Sequence, residues 1–267
     1  MSRAALEGAD LYYEVAGSGP RLLLISGTGG DLRIPPSVFD GPLARAFEIA
    51  AYDQRGLGRS SVPPGPYSMA DYADDAAGLL DLLAWEDALV MGISFGGMVA
   101  QELAIGHPGR VRRLVLACTS SGGAGGSSFP LHDLVDLPED DRIVRHLELA
   151  DTRYDATWRE ENAEAYATLA RLLRERAVIG KDEPGRAEGA ALQLEARSRH
   201  DSWARLGQIS CPTFVCGGLY DGIAPPANSE NLASAIADAK LQLFEGGHLF
   251  LLQDRSSWPA IVEFLSS

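Results

Sequence analysis

Short uninterrupted apolar runs alternate along the 267 residues with stretches whose apolar side chains recur every three or four positions. The runs RLLLIS (21–26), FEIAAYD (47–53), DALVMGI (87–93), RRLVLAC (112–118), PTFVCGG (212–218) and KLQLFEG (240–246) predict strands buried on both faces. LYYEV (11–15) alternates polar and apolar residues and predicts an edge strand. Strands interleaved with helices argue for an α/β protein with a mostly parallel sheet covered by helices.

The helices carry their own end signals. Ser68 precedes an apolar stripe at Tyr72, Ala76, Leu79, Leu80 and Leu83, with Asp71 three residues on as a weak capping box. A second helix is predicted from Ser94 to about Gly106, where GHPG stops it. The pattern changes at SSGGAGGSS (120–128), which reads as a linker; from about 139 to 205 the chain is charged and helix-like, with Pro184 suited to a first helical position. Strands resume at 212. The expected organisation is a core of residues 1–120 and 206–267 with a helical segment, 121–205, inserted into it. There is no internal repeat and no sustained heptad pattern.

Charge and cysteine usage narrow the function classes. Lys and Arg number 23 against 37 Asp and Glu, a formal net charge of −14, so nucleic acid is not an expected partner. No stretch approaches the roughly 18 to 20 apolar residues of a membrane span, and MSRAALEGADLYYEV has no signal-peptide run, so a soluble cytoplasmic enzyme without a membrane partner is expected. Cys118, Cys211 and Cys216 form no zinc-type spacing and read as buried thiols, with no metal expected.

Candidate chemistry centres on VMGISFGGMV (90–99). The G-x-S-x-G pentapeptide alone also suits a tight turn, but here it lies between a predicted strand and a predicted helix, the setting of a nucleophile elbow. Gly92 and Gly96 would let the backbone cross itself while Ser94 presents its hydroxyl. Such a hydroxyl needs a base, and the base an orienting group. Of five histidines only His248, in LFEGGHLFL, follows a predicted core strand at its carboxyl end, where open α/β sheets bind ligands. His107 ends a helix, while His132, His146 and His200 fall in or beside the insertion. For the acid, Asp221 follows the strand at 212–218; Asp53 and Glu245 compete. Oxyanion donors are expected from the Phe95 N–H and from LLLISGTGGD, with Thr28 first and Gly29 next. The spacing in that loop is neither G-x-G-x-x-G nor G-x-x-x-x-G-K, so no nucleotide cofactor is expected.

These residues resemble the α/β-hydrolase superfamily over nearly the whole chain, and Ser94, Asp221, His248 follow its serine, acid, histidine order. YDQRGLGRSSVPPGPYS, GISFGGMVAQ and HPGRVRRLVLACT look most like the branch of 3-oxoadipate enol-lactonases and carboxylesterases. In that loop Asp53, Arg55, Gly56, Gly58 and Ser60 match positions whose family role is mainly structural. Ser26-Gly27 stands where many relatives have His-Gly, and residues 121–205 occupy the place of the family's cap without matching the enol-lactonase cap. The resemblance implies a cofactor-free serine hydrolase acting on a small ester or lactone. Alternatives are hydrolysis of a carbon-carbon bond in a vinylogous diketone, a perhydrolase or lyase, or a ligand receptor or carrier with a weak triad. A serine at 94 is not the aspartate that relatives use to open epoxides or displace halide. For the pocket, Phe129, Trp158, Tyr166, Leu169 and Trp203 are apolar candidates, with Arg142, Arg145, Arg153, Arg171 and Arg174 available as cations. Oligomeric state is not legible in the sequence.

Overall fold

The structure, a computed structural model, describes residues 2–267. The strands are β1 (Ser2–Leu6), β2 (Ala9–Gly17), β3 (Arg21–Ile25), β4 (Glu48–Tyr52), β5 (Ala88–Ile93), β6 (Val111–Ala117), β7 (Thr213–Gly218) and β8 (Ala239–Phe244). They form one sheet in the order β1-β2-β4-β3-β5-β6-β7-β8. β1 and β2 pair antiparallel, as do β2 and β4; all other neighbours are parallel. From β3 the chain leaves toward β4 on one side, and from β5 toward β6 on the other. The carboxyl ends of β3 and β5 therefore flank a topological switch point, where a ligand crevice opens.

Because successive strand residues point to opposite faces, each strand feeds two cores. Leu23 and Ile25 join one layer with α1 (Met69–Leu82) and α2 (Phe95–Gly106), while Leu22 and Leu24 join another with Leu43 and Phe47. Ser68 caps α1 through its side chain, and Asp71 returns the bond to the Ser68 N–H, so the capping box is complete.

Between β6 and β7 lie α3 (Glu139–Ala150), α4 (Ala156–Glu161), α5 (Ala163–Ala177) and α6 (Arg186–Ser198). After β7 come α7 (Pro226–Ala235), α8 (Phe250–Gln253) and α9 (Ser257–Ser266). α7 completes the first layer through Leu232, and α8 and α9 the second through Phe250, Ile261 and Phe264.

Several expectations are corrected. β2 is not an edge strand, because β1, whose SRAAL is too short and polar to stand out, pairs outside it. β8 is not buried on both faces: it closes the other edge of the sheet, and Lys240, Leu241 and Gln242 are exposed. Pro184 precedes α6 instead of opening it, since Gly185 in a left-handed conformation (φ 77°) is the N-cap. The glycine run is packed: a Cβ on Gly122 would meet the His200 carbonyl at 1.9 Å, and one on Gly125 the Trp203 ring at 2.2 Å. Glycine is needed there for close approach as much as for chain freedom. The three cysteines are free and buried.

Candidate active site

Ser94 sits between β5 and α2 with φ 55° and ψ −116°, a strained conformation for a residue with a side chain. Its surroundings enforce the turn. A Cβ on Gly92 would lie 2.2 Å from the Gly96 carbonyl, and one on Gly96 would lie 2.1 Å from the Ile25 carbonyl. Both positions exclude any side chain, so β5, α2 and β3 close tightly around the serine. Its N–H donates to the Ala117 carbonyl (2.8 Å), and the Thr119 hydroxyl donates to its carbonyl (2.7 Å).

His248 follows β8, and its Nε2 lies 3.0 Å from Ser94 Oγ. Its Nδ1 lies 2.7 Å from Asp221 Oδ2. Asp221 follows β7 and is 3% exposed, and its Oδ1 accepts the N–H groups of Ile223 and Ala224, both at 2.8 Å. Those two bonds leave one carboxylate oxygen for the imidazole, so the acid holds the ring with its Nδ1 protonated and Nε2 facing the serine. Neither competing carboxylate reaches His248. Asp53 accepts from the Leu32 N–H (2.7 Å) and from the N–H and Nε–H of Arg59, which braces the loop after β3. Glu245 is exposed and faces Arg153 at 3.5 Å.

The Phe95 N–H, at the first helical position, has no intrahelical acceptor. Among the described residues no acceptor meets it or the Thr28 N–H. A Cβ on Gly27 would stand 3.4 Å from Ser94 Cβ, so the loop after β3 lies directly over the serine. Gly29, the second donor expected from this loop, already has an acceptor. Its N–H is spent on Gln193 Oε1 (2.8 Å), a fully buried side chain from α6.

Sequence reasoning also missed how the inserted segment meets the loops. At the end of α3, the Leu149 carbonyl accepts the Gly222 N–H (2.9 Å), and the Ala150 carbonyl accepts the His248 N–H (2.6 Å). Gln253 joins them, accepting from the Gly247 N–H and donating to Asp151 Oδ2. Asp151 is held below its ordinary range: burial opposes this, and hydrogen bonds from Arg153 outweigh it. His146, also on α3, is pushed down to about 4 by burial and then by the nearby His248 and Arg176. Arg176 was not among the arginines weighed from the sequence.

The apolar pocket candidates all make packing contacts. Trp158 stacks on Tyr154 at 4.2 Å, Tyr166 and Leu169 pack on Ile143, Leu147 and Ala170, and Trp203 packs on the first core layer. Phe129 packs against Leu134, Leu149 and Ile223, and its N–H donates to the Ile223 carbonyl (2.7 Å) beside the Asp221 loop. The five arginines are engaged elsewhere: Arg145 with Glu148, Arg153 with Asp151, Arg171 with Glu175, Arg174 with Glu139 and Asp140, and Arg142 near the Val135 and Leu137 carbonyls. Among the described residues no cluster of His, Cys, Asp or Glu could hold a metal ion, and no helix is long and apolar enough to cross a membrane.

A family model described as the alpha/beta hydrolase fold matches residues 20–254. The chain belongs to the α/β-hydrolase family. The RutD protein of Azorhizobium caulinodans, which bears the name of a carbamate hydrolase, is 32% identical over 91% of this chain and 89% of its own. A 2-hydroxymuconate semialdehyde hydrolase of Pseudomonas sp. strain CF600 is 32% identical over 94% and 88%. Among solved structures, an enol-lactonase from Burkholderia xenovorans LB400 superposes with a TM-score of 0.79 at 26% identity, covering 100% of both chains. This α/β hydrolase is thus similar along its length to enzymes whose names give different scissile bonds.

Proposed function

We propose that this α/β hydrolase cleaves a small carboxylic ester or lactone through an acyl-enzyme on Ser94. The observation that carries the reading is the continuous chain from Asp221 Oδ2 to His248 Nδ1 (2.7 Å) and from His248 Nε2 to Ser94 Oγ (3.0 Å), ending on a serine held at φ 55°. His248 takes the hydroxyl proton as Ser94 Oγ bonds to the acyl carbon. The negative oxygen is met by the N–H groups of Thr28 and Phe95. As the intermediate collapses, His248 returns the proton to the departing alkoxide. A water molecule then gives its proton to His248, attacks the acyl carbon and frees Ser94 with release of the acid.

In this reading residues 121–205 are a cap, and Phe129 stands at the pocket wall beside Asp221. General-base catalysis is worth on the order of 10²- to 10⁴-fold and one oxyanion donor about 10²- to 10³-fold. Ser94→Ala should therefore lose at least roughly a thousandfold in turnover with the fold intact. The test is a panel of p-nitrophenyl acetate, lactones and vinylogous diketones on both chains, with a serine-directed phosphonate as blocker. A variant that kept most of its activity would sink the assignment. Turnover confined to the diketones would move the scissile bond from C–O to C–C, and labelling without turnover would point to a receptor.

A further inference from the structure

The last carbonyls of a helix have no donor within it and must find one elsewhere. At the end of α3, where the chain turns to an extended conformation at Asp151 (φ −151°, ψ 114°), two of them are taken by the loops that carry the acid and the histidine. Leu149 accepts from Gly222, the residue after Asp221, and Ala150 accepts from His248 itself. Glycine permits the approach: a Cβ on Gly247 would stand 2.0 Å from the Ala150 carbonyl oxygen, and one on Gly222 2.9 Å from that of Leu149.

Arg153 stands where these pieces meet. Its Nε–H and Nη2 donate to the two oxygens of Asp151 (2.9 and 2.7 Å), a carboxylate whose side chain is 1% exposed. Asp151 Oδ2 also accepts from Gln253 Nε2 (2.9 Å), and Gln253 Oε1 takes the Gly247 N–H (2.8 Å), next to His248. On its other side the guanidinium lies 4.1 Å from the centre of the Tyr220 ring, next to Asp221. Tyr220 donates its own N–H to the Gly246 carbonyl and accepts the Thr152 N–H, both at 2.9 Å. One guanidinium thus reaches the acid loop through a ring face and the histidine loop through Asp151 and Gln253. An ion pair this close to water contributes little by charge alone, but a planar fork that fills a carboxylate and stacks on a ring fixes direction as well as distance.

We propose that Arg153 is a positioning residue of the triad: it locks the Asp221 and His248 loops to the end of α3 and so sets the 2.7 Å contact between Asp221 Oδ2 and His248 Nδ1. Among the described residues it makes no hydrogen bond or ion pair with Asp221, His248 or Ser94, and it acts on the residues just before the acid and the base. Without the fork and the stack the two loops can part. The Nδ1–H then loses the acceptor that holds it there, and the imidazole populates both tautomers, of which the one protonated on Nε2 cannot take a proton from Ser94. The effect on rate rests on the hydrolase reading. The effect on the imidazole does not.

The test reads the ring ¹⁵N resonances of His248 in alkaline buffer, where they report the tautomer, beside the kinetics of p-nitrophenyl acetate hydrolysis. The native chain should show the Nδ1–H form. Arg153→Met should show a mixture of the two forms, with kcat down about tenfold and KM within about twofold, since a misplacement of about 1 Å can cost about 10²-fold. Arg153→Lys, which keeps the charge but not the fork, should fall between. If Arg153→Met does not fold, Arg153→Lys and Tyr220→Leu decide, because each removes one of the two contacts and should shift the tautomer part of the way. Native resonances in every folded variant would overturn the proposal, and a lower urea midpoint beside them would leave Arg153 a structural role alone. A tautomer shift in a chain that hydrolyses no ester would uphold the positioning and sink the hydrolase reading instead.

Discussion

The sheet and the inserted helices build the same site by opposite means. On the sheet, each functional side chain stands at the carboxyl end of its strand, and the constraint is local: glycines two residues either side of Ser94 leave one path for the backbone. In the insertion, the residues that matter reach across the molecule. Gln193 and Gly29 are 164 positions apart, yet one hydrogen bond between them takes up the Gly29 N–H in the loop after β3. Ala150 holds the backbone of His248 in the same way. The insertion thus acts as a brace for the loops. Changes on the sheet side should strike chemistry, and changes on the insertion side should strike alignment.

The largest effect is expected from Asp221→Asn. The Ile223 and Ala224 N–H groups fix which side-chain atom must accept, so the amide oxygen accepts from them and the NH₂ group donates to His248 Nδ1. That reverses the imidazole tautomer and puts the proton on Nε2, where it cannot take one from Ser94. Turnover should fall by about 10⁴-fold with little change in stability. Steady-state kinetics beside a urea melt check it, and a loss of stability equal to the loss of rate would undo the argument.

The next effect is on stability and comes from the insertion side. His200 is 7% exposed and pushed down from 6.5 to about 4 by burial. A folded value below the unfolded one means that the unfolded chain binds the extra proton. Stability from this group is full above 6.5 and falls as pH drops toward 4, by on the order of 3 kcal/mol. Unfolding midpoints of the native chain and His200→Gln, compared from pH 7 to 4.5, should show the steeper decline in the native chain.

What the sequence made legible follows the same division. Seven of the eight strands, the Ser68 capping box and the strand-turn-helix around Ser94 are written in contiguous residues, so period and end signals reveal them. The three side chains singled out for chemistry each follow a strand, and the structure brings them within hydrogen-bond reach. Gln193 and the end of α3 left no such trace, because a contact between residues far apart in the chain imposes no spacing on its neighbours. The packing partners of Trp158, Tyr166 and Trp203 were not legible either, because in a sequence an aromatic side chain looks the same whether it lines a pocket or fills a gap between helices.

Gln193→Ala sharpens the comparison directly. It removes the acceptor of the half-buried Gly29 N–H, at a cost of about 1 kcal/mol, and releases the loop that carries Thr28. A fall in kcat of about tenfold with a smaller change in KM is expected, since a donor that is loosened but still present loses only part of the about 10²- to 10³-fold that removing it outright would cost. Gln193→Glu keeps an acceptor in place and should recover most of the loss. If both variants lost rate equally, the hydrogen bond would not be what aligns the loop.

The smallest effect should come from the other tie between the insertion and that loop. Arg33, three residues beyond Gly30, meets Glu183 just ahead of α6 and also holds Asp31 at 2.7 Å. Glu183 is 41% exposed in its side chain, so water screens the pair, and exposed pairs contribute about 1 kcal/mol or less. Arg33 keeps its bonds to the buried Asp31 when Glu183 becomes Gln, so the loop retains its shape. Glu183→Gln should therefore leave kcat within about twofold and shift the urea midpoint only slightly, with the shift vanishing at high salt. A tenfold loss of rate would mean that the insertion aligns the loop through charge at its rim more than through the buried amide of Gln193.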